Sequence, residues 1–283
     1  MDLCNLSVIK EVMAEAGISF RKELGQNFLT NRMIPEDIAD SCADIEDTLI
    51  IEIGPGIGCL TKELAERYKR VVAIEIDTGL IPVLNKTLAD YDNITVINAD
   101  VMEVDLHEIV EKYSEGMPVS VCANLPYYIT TPILMRLLES GVKFDAITVM
   151  VQNEVAQRLV APAGKSDYGA ITAVLGYYGE ARKLFKVSAG CFMPMPKVDS
   201  AVVRIDLYKE PKYSPRSENF FRDVIKAAFE MRRKTLQNAI NAKFPHIEKG
   251  RIAEALEKMN LDPNVRGERL TTEQFVILSD LLA

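Results

Sequence analysis

Thr48-Leu49-Ile50-Ile51-Glu52-Ile53-Gly54-Pro55-Gly56-Ile57-Gly58 runs from apolar residues straight into a glycine-rich turn. A short apolar run stopped by glycines reads as a buried strand, and Leu60, Leu64 and Tyr68 then recur every four residues as on a helix. The rhythm repeats. Val71-Val72-Ala73-Ile74 reads as a second strand, Leu80 to Leu88 as a helix, and Ile94-Thr95-Val96-Ile97 as a third strand. Strands alternating with helices at this spacing predict a parallel sheet covered on both faces. Val119 to Ala123 and Ala146 to Val151 read as strands four and five, and Ala201-Val202-Val203-Arg204-Ile205 as a late strand.

Outward from this core the pattern changes. Upstream, Ile9, Val12, Met13 and Ala16 fall at helical spacing within Val8 to Ala16, which predicts an amphipathic helix packed on the domain that follows. Downstream, Lys209-Glu210-Pro211-Lys212-Tyr213-Ser214-Pro215 holds two prolines among polar residues and reads as a linker. Beyond it Phe220, Phe221, Val224, Ile225, Ala228 and Phe229 share one helical face, and Thr271 with Gln274 has the form of a capping box before an apolar run. The expected division is a sheet domain over 1–209 with the N-terminal helix, and a smaller all-helical domain over 210–283.

The chain has 283 residues, 48% of them hydrophobic, enough to bury one sizeable core and a smaller one. The five cysteines (Cys4, Cys42, Cys59, Cys122, Cys191) form no C-x-x-C pair and only two histidines accompany them, so neither a zinc site nor a disulfide framework is expected. Asp2, Lys10, Glu11 and Glu15 break up the first twenty residues, which therefore lack the apolar core of a signal peptide. No stretch approaches the roughly 18 apolar residues of a spanning helix. A cytoplasmic setting is the expectation. The net charge of −8 disfavours a polyanionic partner at first sight, yet Arg182 to Arg251 holds 16 basic against 7 acidic residues, leaving −17 for the rest. A local basic face on an acidic body is the expected reading.

The turn at Gly54-Pro55-Gly56-Ile57-Gly58 lies where the first strand hands over to a helix, a place where glycines allow a ligand close to the backbone. The dinucleotide fingerprint G-x-G-x-x-G needs its third glycine at position 59, which is Cys59, so a nicotinamide oxidoreductase is disfavoured. S-adenosylmethionine has no pyrophosphate to seat, and a Gly-x-Gly-x-Gly turn suits its amino-acid end. Strand two ends in Ile74-Glu75-Ile76-Asp77, and in this topology Glu75 is placed to accept hydrogen bonds from both ribose hydroxyls. Strand three ends in Asn98-Ala99-Asp100, where Asp100 can accept from the adenine amino group.

Strand four ends in Asn124-Leu125-Pro126-Tyr127-Tyr128, the N-P-P-Y form of amino-methylating enzymes. The exocyclic nitrogen of adenine is a poor nucleophile because its lone pair is delocalised into the ring. Two acceptors, the Asn124 side-chain oxygen and a carbonyl at Leu125 or Pro126, can take the two N6 hydrogens and aim the lone pair at a methyl carbon. Tyr127 would stack on the extruded base.

On these residues the chain resembles the ribosomal RNA adenine N6-dimethyltransferase family, in its bacterial small-subunit branch. The further matching stretches are Leu24-Gly25-Gln26-Asn27-Phe28-Leu29, Phe192-Met193-Pro194-Met195-Pro196-Lys197-Val198-Asp199-Ser200 and Arg232-Arg233-Lys234-Thr235-Leu236. The resemblance implies an α/β, Rossmann-like S-adenosylmethionine methyltransferase sheet with helices on both faces, followed by the helical domain. It implies that Asn27 and Leu29 hold the methionine end of the cofactor, with Gly54, Gly56, Glu75, Asp100 and Asn124 completing the contacts. Phe192 is expected to stack on the target base opposite Tyr127, and Lys197, Arg232, Arg233 and Lys234 to meet RNA. The last three are expected on a helix, where three in a row cannot all face a core.

The implied reaction is dimethylation of two adjacent adenines in a hairpin loop near the 3′ end of small-subunit ribosomal RNA, within a pre-30S particle, by a monomer. Two other roles resemble it closely enough to carry: methylation of large-subunit RNA, and assembly of the small subunit with methylation secondary.

Overall fold

The computed structural model describes residues 1–18 and 25–283, so Leu24 of the Leu24–Leu29 stretch lies outside the described residues. Two compact units are present, one of residues 1–156 with 182–207, the other of 157–181 with 208–283.

The first unit opens with α1 (Leu6–Glu15), β1 (Phe28–Leu29) and α2 (Met33–Asp40). The alternating series follows: β2 (Leu49–Ile53), α3 (Cys59–Arg67), β3 (Arg70–Glu75), α4 (Ile81–Thr87), β4 (Ile94–Asn98), α5 (Leu106–Tyr113), β5 (Val119–Asn124), α6 (Thr130–Glu139) and β6 (Ala146–Gln152). α7 (Asn153–Leu159) and α8 (Ala170–Tyr178) come next, and the chain returns through β7 (Gly179–Val187), β8 (Phe192–Met193) and β9 (Ser200–Leu207). The seven-stranded sheet has the order β4-β3-β2-β5-β6-β9-β7. β2 through β6 pair in parallel, and β9 runs antiparallel to β6. Every residue of β2 is buried, as a strand covered on both faces requires.

Strand order reverses between β2 and β5, because β3 and β4 continue to one side of β2 while β5 and β6 continue to the other. Such a switch point opens a crevice at the carboxyl ends of the strands. The predicted N-terminal helix is α1, capped by Asn5, and its buried Ile9, Val12 and Met13 cluster with Phe28, Ile57, Leu80 and Val83. The helix thereby supports the glycine turn and β1. The separate β1–β8 ladder pairs Leu29 with Phe192, joining two segments far apart in sequence. β7 is a strand that the sequence pattern does not announce, because Gly179–Val187 carries Glu180, Arg182, Lys183 and Lys186, the polar dress of a strand at the sheet's end.

The second unit adds α9 (Glu218–Glu230), α10 (Leu236–Lys243), α11 (Lys249–Lys258) and α12 (Thr272–Leu282). Phe221, Val224, Ile225 and Ala228 are buried on α9 as predicted, and Phe220 and Phe229 half-buried. The capping box at α12 forms: Thr271 Oγ1 accepts from the Gln274 N–H at 3.2 Å, and Gln274 Oε1 from the Thr271 N–H at 2.9 Å. A single cut near 210 does not describe the units, since α8 packs with α9 and α12. The buried Ile171, Thr172, Ala173, Val174 and Leu175 of α8 belong to this unit, and Thr272 donates its hydroxyl to the Ala173 carbonyl at 2.9 Å. A strongly apolar helix between two strands looks local in sequence, whereas its partners arrive much later in the chain.

Candidate active site

The crevice lies wholly within the first unit and opens to solvent. Its walls come from 25–29, the glycine turn, the end of β3 and the turn after β5. Asn27, Leu29, Gly54, Gly56, Glu75, Asn124, Leu125, Pro126 and Tyr127, predicted from separate stretches, all line it.

Backbone geometry explains the glycines. Gly54 and Gly56 have φ of 69° and 62°, in the left-handed region that side chains disfavour. A Cβ on Gly54 would stand in open space, and one on Gly56 would touch the Phe28 ring at 3.0 Å. The turn thus keeps a bare backbone at the crevice, with the Phe28 ring, itself on the wall, packed where a Gly56 side chain would stand.

Glu75 ends β3 and is only 5% exposed. Its Oε1 accepts from the Asp77 N–H at 2.8 Å and its Oε2 from the Gly56 N–H at 3.3 Å, which locks the carboxylate to the glycine turn. Burial raises its pKa above the usual carboxylate value, and those N–H donors oppose the shift. Gln26 Nε2 donates to Asp77 Oδ2 at 2.8 Å, a bond between two neighbours of predicted residues.

Asn124 closes β5. Its Nδ2 donates to the Asn27 carbonyl at 3.2 Å, so its amide is oriented with the Oδ1 left to accept. In the following turn the Pro126 carbonyl already accepts from the Ile129 N–H at 3.3 Å and the Thr130 hydroxyl at 3.0 Å. That commitment favours Leu125 over Pro126 as the second acceptor. Tyr127 is half-buried and its hydroxyl shares a 2.6 Å hydrogen bond with Ser200, which fastens the ring. Ser200 is the last residue of a matching stretch, and only the fold reveals that it anchors Tyr127. Tyr128, exposed on the crevice wall, is a further site residue that its place in the turn leaves without an evident role in the sequence.

Two predicted residues are not brought to the wall. Asp100 is half-buried two residues past β4, where its Oδ1 accepts from the Met102 N–H at 2.8 Å as a turn residue does. Phe192 is 4% exposed and packs with Leu29, Ile38 and Leu60 in a core cluster.

The basic residues divide differently from the expectation. Arg232, Arg233 and Lys234 lie in the turn between α9 and α10 rather than on a helix. Met231 leaves helical geometry at φ −121°, ψ 50°, and the Lys234 N–H closes a turn on its carbonyl at 2.8 Å. All three are exposed, as is Lys197. Arg232 donates to the carbonyls of Ser166 at 2.9 Å and Tyr168 at 3.2 Å and pairs with Glu268 at 3.4 Å, so it ties its own unit together.

A parallel sheet reversing at a glycine turn, a buried acid at the next strand end and an Asn-Leu-Pro-Tyr turn on one crevice together define a Rossmann-like methyltransferase. The family model described as ribosomal RNA adenine dimethylase matches residues 17–283. "Ribosomal RNA small subunit methyltransferase A" of Alkaliphilus metalliredigens is 47% identical over 98% of this chain and 96% of its own. The protein of the same name from Streptococcus pneumoniae serotype 2 is 45% identical over 100% of this chain and 98% of its own. Among solved structures, a dimethyladenosine transferase from Plasmodium falciparum superposes with a TM-score of 0.76 at 24% identity, covering 88% of this chain and 95% of that one. The 23S rRNA methyltransferase ErmE gives 0.68 at 28% identity, covering 90% and 99%. The chain belongs to the ribosomal RNA adenine dimethylase family and is an S-adenosylmethionine-dependent rRNA adenine N6-dimethyltransferase.

Among the described residues no helix is long and apolar enough to cross a membrane, and no cluster of His, Cys, Asp and Glu could hold a metal.

Proposed function

We propose that the chain dimethylates two adjacent adenines near the 3′ end of small-subunit ribosomal RNA, acting as a monomer on a pre-30S particle in the cytoplasm. The observation that carries the chemistry is the oriented Asn124 amide, whose Nδ2 is committed to Asn27. With Asn124 Oδ1 and the Leu125 carbonyl each accepting one N6 hydrogen, the adenine nitrogen is drawn toward tetrahedral geometry and its lone pair directed outward. S-adenosylmethionine supplies an electrophilic methyl group. Glu75 is suited to the ribose hydroxyls and the bare Gly54-Gly56 turn with Asn27 and Leu29 to the amino-acid end; Asp100, off the crevice wall and with Oδ1 held by Met102, has only its Oδ2 left for the adenine of the cofactor. Tyr127 offers the stacking face for the target base; Phe192 joins it only when its ring turns out of the core cluster. No general base is needed, because the methylated cationic nitrogen loses its proton readily to water.

The small-subunit relatives at 45% and 47% identity favour that RNA over the large-subunit RNA named for the 28% identical structure. Incubating the protein with purified unmethylated small subunits and labelled cofactor should yield dimethyladenosine at two adjacent positions. Transfer to large subunits instead would overturn the reading. A role in late assembly of the particle separates from catalysis by comparing Asn124→Ala with a deletion strain.

For RNA binding, Arg233 and Lys234 are the members of the basic turn that project into solvent without the ties of Arg232, and Lys197 is exposed in the first unit. Arg233→Gln with Lys234→Gln should weaken subunit binding and flatten its salt dependence by roughly 0.7 to 0.9 in log–log slope for each phosphate no longer neutralised. Arg232→Gln should instead lower the melting temperature. An unchanged salt slope in the double variant would move the RNA face elsewhere.

A further inference from the structure

Tyr128 is an aromatic residue of the crevice wall that the transfer chemistry leaves unused. Phe28 is buried in the α1 cluster and Tyr127 is fastened through Ser200, whereas Tyr128 is 61% exposed. Its ring nevertheless has a seat. Gly25 stands in the left-handed region at φ 65°, and a Cβ there would meet Cδ1 and Cε1 of the Tyr128 ring at 3.5 and 3.6 Å and the Cβ of Pro126 at 3.3 Å. The bare glycine backbone supports the ring at one side and leaves the rest of it to solvent, at the edge of the crevice. Residues 194–199 supply another piece of the rim. Met193 pairs with Phe28 at one end of this segment and Ser200 bonds Tyr127 at the other, so the segment spans between two residues of the crevice wall. It carries the exposed side chains of Met195, Lys197 and Val198, each within three residues of one of those anchors. Scattered exposed apolar side chains are ordinary on a protein surface. An aromatic ring, two apolar side chains and a cation gathered around one opening suit the unpaired bases and phosphates of single-stranded RNA.

We propose that Tyr128 is a holding site for a second nucleobase, the adenine next in the strand to the one being methylated. The proposal rests on the reading that the substrate is a pair of adjacent adenines. A target adenine drawn into the crevice is one phosphodiester link from its neighbour, so the neighbour stays at the mouth wherever the strand then runs. Tyr127 and Tyr128 are consecutive too. Their Cα atoms are about 3.8 Å apart, with one ring half-buried on the wall and the other at the rim. Extruding the target takes from the neighbour the base it was stacked on, and the Tyr128 ring offers a face in its place. No bond changes in this step. When one adenine of the pair reacts its neighbour lies on the 3′ side, and when the other reacts it lies on the 5′ side, so a single ring at one side of the opening serves only one of the two arrangements. The two adenines are then not equivalent to the enzyme.

Single-turnover methylation of purified unmethylated small subunits, with products resolved at each position, tests this. Tyr128→Ala should slow transfer to one of the two adenines about tenfold, as the loss of one base–aromatic stack does, and affect the other much less. Tyr128→Phe should behave as the native protein, because the stack needs the ring and not its hydroxyl. S-adenosylmethionine affinity and melting temperature should stay near native in both variants, since most of the ring lies outside the fold. Subunits whose RNA carries uracil in place of the neighbouring adenine identify the partner: the native protein should slow on them at the same position, and Tyr128→Ala should lose nothing further. Equal slowing at both adenines, or a matching loss of S-adenosylmethionine affinity, would make Tyr128 part of the crevice wall alone and overturn the proposal. So would Tyr128→Phe falling as far as Tyr128→Ala, or Tyr128→Ala still favouring an adenine neighbour over uracil. If the native protein modifies a single adenine rather than an adjacent pair, the reading of the substrate fails and takes the proposal with it, an outcome visible before any variant is made.

Discussion

Asn124→Ala is expected to lower the single-turnover rate of methyl transfer on the order of a hundredfold or more, with ribosomal-subunit binding nearly unchanged. The reason is electronic. The adenine amino group attacks only after its lone pair leaves conjugation with the ring, and in the proposed mechanism the two acceptors of the turn make that change favourable as the transition state forms. Removing one such preorganised polar group typically costs about 3 to 4 kcal/mol of barrier. Because Asn124 is bonded to the Asn27 carbonyl on the crevice wall, the substitution also loosens that wall, and S-adenosylmethionine affinity has to be measured alongside the rate. Asn124→Asp is the sharper companion: it keeps an acceptor at the same place but gives up the donor to Asn27, so it should fall between the native protein and Asn124→Ala. A near-normal single-turnover rate in Asn124→Ala would mean that another group positions N6.

Glu75→Ala should weaken S-adenosylmethionine binding by at least tenfold. Hydrogen bonds from ribose hydroxyls to a carboxylate are charge-assisted, worth about 1.5 to 3 kcal/mol each where they are made out of water. Glu75 is buried enough for that range to apply, yet it also anchors the N–H groups of Gly56 and Asp77, which the truncation leaves unpaired. Glu75→Gln keeps the shape and an acceptor oxygen, so it should recover part of the affinity and most of the melting temperature. If the folded Glu75→Ala protein bound cofactor as the native one does, the ribose assignment would be wrong.

The legibility of this chain follows the range over which each signal acts. The β-α-β rhythm, the glycine turn and the acid at the end of β3 are written in adjacent residues, because strand, turn and helix there are consecutive. So is the Asn-Leu-Pro-Tyr turn. The choice between the Leu125 and Pro126 carbonyls is not legible, since it depends on Thr130 reaching back to Pro126 in three dimensions. The anchoring of Tyr127 by Ser200 is also hidden, for it spans 73 residues. Glu52 is the plainest case: in sequence it is one polar residue in a strand, and only the sheet around it shows that its oxygen has no partner among the described residues. For Arg232 to Lys234 the helical expectation fails because Met231 ends α9 just ahead of them, with no glycine or proline to announce the break.

The two-segment make-up of the helical unit bears on how the protein can be made and cut. During synthesis α8 emerges about forty residues before α9 and about a hundred before α12, so its apolar face must wait uncovered until the chain is nearly finished. Chain ends placed at residue 209 would leave the same face bare for good, with Ile171, Val174 and Leu175 exposed and the Ala173 carbonyl deprived of Thr272. A soluble catalytic fragment therefore requires excision of 157–181 as well as 208–283, with a short bridge restoring the path from α7 to β7, and a simple C-terminal truncation is the form in which this protein should aggregate.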